Sequence, residues 1–192
     1  MAENQNNRRA AYSKKKADAH KEARRAAREA VLALLFETEY HKGEDPEAIF
    51  LRAAEVRDID PADKYIRGEY MGIMEHLETI DALLGRHAKG WRTDRLSRVS
   101  RAVLRLGAYE IIYVEKIPAP IAINEAVELA KKFDDPKARA FINGVLNAVK
   151  NELEENGGIL PVVETATALP VEEPDADPAV QMEAAEAPAT DE

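Results

Sequence analysis

Apolar residues recur every three to four positions through most of this chain, and no run shows the clean two-residue alternation of a strand. The pattern predicts an all-α fold. A first helix over about 17–40 turns Ala27, Val31, Leu34 and Leu35 inward, and a second over about 46–58 does the same with Ile49, Phe50, Ala53 and Val56. A third, over about 61–84, offers Tyr65, Ile66, Tyr70, Ile73, Leu77, Ile80 and Leu84. After a loop holding Gly90 and Trp91, a fourth over about 94–114 buries Leu96, Val99, Val103, Leu106 and Ile112. The hinge KIPAPI then opens, at Pro118 and Pro120, a helix that continues to Phe133. The last helix, over about 136–153, carries Phe141, Ile142, Val145, Leu146 and Val149, with Gly144 expected at a close helix contact.

Boundary residues agree with this division. Asp-Pro precedes three of the periodic stretches, at Asp45-Pro46, Asp60-Pro61 and Asp135-Pro136. Asp accepts an orphan N–H at the N-cap, and Pro loses nothing at the first helical position. Thr93 reads as a further cap. Short links favour antiparallel neighbours. The expected architecture is therefore a compact bundle of about six to seven helices in two small sub-bundles, dividing near Gly90 and Trp91.

The ends differ from the centre. Residues 1–16 lack apolar periodicity and read as a flexible basic arm; 17–155 form the helical domain. Residues 156–192 are rich in Pro, Ala and acids, and read as a disordered acidic tail, either a solubility aid or a screen for cationic patches.

Charge by region changes the picture given by the net charge of −9. Residues 1–30 hold nine Lys/Arg against four Asp/Glu, whereas 151–192 hold twelve acids and no Lys or Arg. The acidity is thus concentrated at one end, and it conceals cationic patches elsewhere. Lys21, Arg24, Arg25 and Arg28 lie at i, i+3, i+4 and i+7, one helix face. Arg95, Arg98, Arg101 and Arg105 form a second stripe, with Trp91 at its start. Lys137 and Arg139 open the last helix, where backbone N–H groups also favour anions. A solvated face explains the first stripe as well as RNA does, and a core plug is the ordinary role for Trp91. Cations at a helix start oppose the macrodipole, however, and arginines near an aromatic suit phosphates and unpaired bases.

Catalytic signatures are missing from the sequence. It has no Cys, no GxxxxGK[ST] or GxGxxG loop, no GxSxG elbow, and four scattered histidines, His20, His41, His76 and His87. No cofactor or metal site is expected, and no apolar run reaches the ~20 residues of a membrane span. The N-terminus lacks a secretory h-region, so a cytoplasmic protein is expected.

The run RAVLRLGAYEIIYVEKIPAPIAINEAVELAKKF followed by FINGVLNAV, with ARRAAREAVLALLF in the first helix, resembles the NusB family of transcription antitermination factors. The resemblance spans about residues 20–155. It implies a non-catalytic protein that binds the boxA element of nascent ribosomal RNA together with the ribosomal protein also called NusE. The pair seeds an RNA polymerase antitermination complex with other Nus factors. It implies RNA contacts at Arg24, Arg25 and Arg28, with Lys21 beside them, and at Lys137, Arg139, Phe141 and Asn143. It implies protein contacts at Phe36, Ser100, Arg101 and Arg105. Ala26, Phe36, Ser100 and Lys137 depart from residues common in the family. Monomer and homodimer both occur in that family. A NusB-like module acting in ribosomal RNA maturation without antitermination is the alternative. A methyltransferase carrying such a module needs a downstream catalytic domain and a cysteine; with no Cys and a stretch over 156–192 that reads as disordered, that class is not expected.

Overall fold

A computed structural model describes residues 2–88 and 96–158, with side chains from residue 12 onward. These residues form seven helices and no strand: α1 (Ala2–Thr38), α2 (Pro46–Arg57), α3 (Lys64–Glu75), α4 (Leu77–His87), α5 (Arg98–Tyr113), α6 (Ala119–Phe133) and α7 (Ala138–Glu155). Helices α1, α2 and α3 pack on one another, and α4, α5, α6 and α7 make a second group. Helix α5 joins the two by packing on α1 and α3 as well as on α4, α6 and α7. One continuous apolar core runs through both, from Val31, Leu34 and Leu35 through Tyr70 and Leu104 to Ile142 and Leu146.

Local chemistry sets the helix starts. Asp45 caps α2 by accepting the Glu47 N–H at 3.2 Å, with Pro46 at the first position. Asp63 caps α3, its carboxylate taking the Tyr65 and Ile66 N–H groups at 2.9 Å each. The expected cap, Asp60, instead closes a turn on the Ala62 N–H. Ser97 caps α5 through the Ser100 N–H at 2.9 Å; Thr93, Gly90 and Trp91 lie outside the described residues. Asp135 accepts the Lys137 N–H in a turn ahead of α7, so that helix begins at Ala138, two residues after Pro136.

Three further expectations are corrected. The stretch expected as one helix over 61–84 is two, parted at His76 (φ −103°, ψ 14°). The His76 ring stacks on Tyr113, 4.1 Å between centroids and 9° from parallel, which fixes the bend against α5. Val56 is 81% exposed, so it does not make the core contact expected of it. Helix α1 begins at Ala2, because the Ala, Lys and Arg of its first half are strong helix formers in phase with the docked half.

The close approaches occur at Gly72 and Gly107. A Cβ on Gly72 would lie 2.0 Å from the Tyr109 hydroxyl oxygen and 2.5 Å from its Cζ; on Gly107 it would meet Leu146 Cδ1 at 2.7 Å. Gly68, one turn before Gly72, has nothing within 4 Å of that position. Gly72→Ala is therefore expected to lose roughly 1–3 kcal/mol of stability. Gly68→Ala should gain up to about 1 kcal/mol from helix propensity. Thermal unfolding followed by circular dichroism checks both; shifts of the same sign would refute the packing.

Candidate nucleic-acid interface

Helix α1 carries the cationic stripe, and the fold treats its members differently. Lys21 is exposed. Arg24 is half-buried, its guanidinium 4.2 Å from the centroid of the Tyr65 ring. Arg25 keeps 36% of its side chain in solvent while its Nε and Nη2 donate to the two Glu125 carboxylate oxygens at 3.1 and 3.3 Å. Arg28 is 6% exposed. Its Nε donates to Glu110 Oε1 at 2.8 Å, and its Nη1 lies 3.7 Å from Glu125 Oε2. Arg28 is thus an internal tie between α1, α5 and α6 and not part of an open grip, contrary to the uniform stripe expected from its spacing.

The same cluster reaches α3. The Tyr65 hydroxyl donates to Glu110 Oε1 at 2.7 Å. Burial and the Glu110 charge push the Tyr65 phenol up, so it stays protonated. Burial works against the Arg28 charge, but Glu110, Tyr65 and Glu125 together outweigh it and the guanidinium ends more basic than usual. Glu69, 4% exposed, has one carboxylate oxygen with no hydrogen-bond partner. Burial first, and the Glu110 charge second, push its carboxyl up to about 8.

The residues expected to meet a protein partner lie around the other end of α1. Phe36 is half-buried and meets Tyr40 edge-on at 5.4 Å. Tyr40 is 58% exposed and takes a hydrogen bond of 2.8 Å from Arg98, whose guanidinium also lies 4.7 Å from the ring centroid. Ser100, Arg101 and Arg105, where the resemblance implies protein contacts, are largely turned inward. Ser100 is buried and donates to Asp134. Arg101 is 2% exposed and bonds Glu39 at 2.9 Å. Arg105 pairs with Glu39 and, through two bonds of 2.8 and 2.7 Å, with Asp81. In the second arginine stripe, Arg101 and Arg105 are therefore matched by Glu39, just past α1, and by Asp81 of α4, while Arg98 meets Tyr40; Arg95 falls outside the described residues.

Helix α7 presents the third set. Lys137 and Asn143 are exposed, Arg139 is half-buried and Phe141 is buried at 9%. Asn143 accepts twice from the Asn147 amide, at 2.8 Å on its backbone oxygen and 3.2 Å on its side chain. This set starts beside the end of α6 whose Lys132 pairs with Glu29 of α1 at 2.7 Å.

The NusB family model matches residues 22–151. The transcription antitermination protein NusB of Bacillus subtilis is 39% identical over 133 residues, 69% of this chain and 98% of that protein. The Myxococcus xanthus protein of the same name is 42% identical over 131 residues, 66% of this chain and 94% of its own. Among solved structures, T. maritima NusB superposes with a TM-score of 0.59 at 37% identity, over 67% of this chain and 91% of that one. The antitermination factors NusB and NusE in complex with dsRNA give 0.58 at 31% identity, over 67% and 96%.

The chain belongs to the NusB family. Within this NusB domain, the residues that sequence reasoning missed are the acids. Glu110 follows Val103 and Leu106 in the apolar register of α5, and Glu125 sits between Ala122 and Leu129 in that of α6. An acid at a core position of a helix is the signal that some cation must come to meet it. No helix of the described residues is long and apolar enough to cross a membrane.

Two outcomes follow from the cluster. Arg28→Ala leaves the buried Glu110 carboxylate with the Tyr65 hydroxyl but no cation, while Glu125 keeps Arg25, and is expected to cost about 3–5 kcal/mol. Arg25→Ala, at a half-open pair, should cost about 1 kcal/mol or less. Urea unfolding separates them, and equal losses would show that Arg28 is not the tie. For Glu69, the folded chain keeps the proton up to about pH 8, whereas the unfolded chain releases it near 4.5. The folded state then holds more protons between those values, so this group makes stability fall as pH rises through the window. Glu69→Gln should flatten that fall, measured as urea midpoints at pH 5 and 8.5; an unchanged pH dependence would refute it.

Proposed function

We propose that this chain is a non-catalytic transcription antitermination factor. It binds the boxA element of nascent ribosomal RNA in the cytoplasm together with the ribosomal protein NusE, within the RNA polymerase antitermination complex that other Nus factors complete. The observation that carries the reading is the family membership of residues 22–151, joined to a cationic α1 face whose Lys21 and Arg25 reach solvent.

In this reading Lys21, Arg24 and Arg25 meet RNA, and Arg28 acts through them by fixing α1 against α5 and α6. Arg25 is positioned by Glu125 through two N–H groups, which leaves the rest of its five-donor fork for phosphate. Arg24 is held over the Tyr65 ring. Lys137, Arg139 and Asn143 supply a second set of contacts, with Phe141 supporting them from the core. Phe36, with Tyr40 and Arg98 around it, forms the aromatic patch for the ribosomal protein. Ser100, Arg101 and Arg105 shape that surface from beneath by anchoring Glu39 and Asp134.

Fluorescence anisotropy of a labelled boxA RNA, titrated with and without the ribosomal protein, tests this reading. Binding should exceed that of a scrambled RNA and tighten with the partner. The double substitution Arg24→Ala, Arg25→Ala should weaken it and flatten its salt dependence by roughly 0.7 per lost phosphate contact. Equal binding to both RNAs, unmoved by the partner, would overturn it.

A further inference from the structure

The family domain does not account for the first half of α1. Helix α1 is continuous from Ala2 to Thr38, yet the family match begins at residue 22, and the Bacillus subtilis relative is 98% covered by 133 residues. Residues 2–21 hold six Lys/Arg and two acids, and 159–192 hold nine acids with no Lys, Arg or aromatic residue. Both segments lie beyond the shared domain, and their charges are opposite.

The exposed helix face continues the stripe already described. Residues 12–23 are all exposed. Lys14, Lys21, Arg25 and Arg28 are spaced by seven, four and three residues, so they fall along one line of the helix. Along its lower half this line is already bound to carboxylates, Glu125 on Arg25 and Glu110 on Arg28. The upper half, Lys14 and Lys21 flanked by Lys15 and Lys16, offers the same chemistry in solvent.

Topology brings the two segments to one end of the molecule. Arg25 meets Glu125 and Glu29 meets Lys132, so α1 and α6 run in the same direction. Helix α7 returns antiparallel to α6 after a four-residue link, so its C-terminal end points toward the extended end of α1. At 1.5 Å per residue, α7 passes the level of Glu125 by roughly 13 Å, about the height of Lys16 on α1. The end of α7, after which residues 159–192 follow in sequence, is therefore near the level of the lysines. The extended reach of 159–192 is on the order of 110 Å, against a domain about 35–40 Å across.

We propose that residues 159–192 dock through their carboxylates on the Lys14–Lys21 face of α1 and compete there with RNA phosphates. The docking stands on the charges and the topology; the competition rests on the RNA-binding reading above. Salt screens such an exposed contact within a Debye length of about 8 Å near 0.15 M, so the contact is strongest in dilute buffer.

Zero-length carbodiimide cross-linking of the full chain, without RNA, reads the docking by mass spectrometry. Cross-links between Lys14, Lys15, Lys16 or Lys21 and the acids of 159–192 are expected. They should vanish in 1 M salt and persist on hundredfold dilution. The Lys132–Glu29 and Lys131–Glu128 pairs, at 2.7 and 2.6 Å, serve as internal controls. Control links without tail links would overturn the docking, and loss on dilution would assign the contact to a second copy. A chain with the nine acids of 159–192 changed to Gln or Asn reads the competition. It should bind the boxA RNA about three- to tenfold tighter at low salt, the gap closing as salt rises. Equal affinity of the two chains would overturn the competition. If neither chain bound RNA, the functional reading would fall while the cross-links still decided the docking.

Discussion

Burying a guanidinium costs several kcal/mol unless its charge is met at close range. Helix α1 buries one, at Arg28, and meets it with Glu110 of α5 and Glu125 of α6. This demand orders much else. It fixes the height at which α1 crosses α5, and it turns Arg25 so that Glu125 can hold it from the side. It brings Tyr65 of α3 to Glu110, which places the Tyr65 ring beneath Arg24. The cationic face is thus laid out by an ion cluster inside the domain. A hydrophobic replacement of similar volume could match its stability, but it could not orient the neighbouring arginines.

A second cluster does the same work at the other end. Glu39, just past α1, is held by Arg101 and Arg105, and Asp81 of α4 shares Arg105. The α1–α5 contact is therefore pinned at two levels, and the aromatic patch of Phe36 and Tyr40 flanks the second of them, at Glu39. Apolar packing holds the helices together; the buried charges select one register among those that packing alone would tolerate.

Much of this was legible in the sequence. The all-α class, the inward faces of α3, α5 and α7, and the cap at Asp45 follow from periodicity and side-chain chemistry. The break at His76 was not, because both halves keep helical periodicity and the bend is stabilised by rings of α5. The fate of Arg28, Arg101 and Arg105 was hidden for a similar reason. Helical spacing places cations on one face, but whether that face meets water or acids depends on helices far away in sequence. Val56 shows the reverse error: an apolar residue at core-like spacing that no neighbour among the described residues covers.

The continuity of α1 has a kinetic consequence. Starting a helix in water is the unfavourable step, and adding residues to an existing one is nearly free. The docked half, from Arg24 to Thr38, is a permanent nucleus, so the solvated turns before it can melt and re-form without a new nucleation event. Such exchange runs on the sub-microsecond scale, far faster than the encounter with a long polymer. An incoming polyanion therefore meets a segment that can change its curvature within the lifetime of a single collision, mounted on a base that does not move.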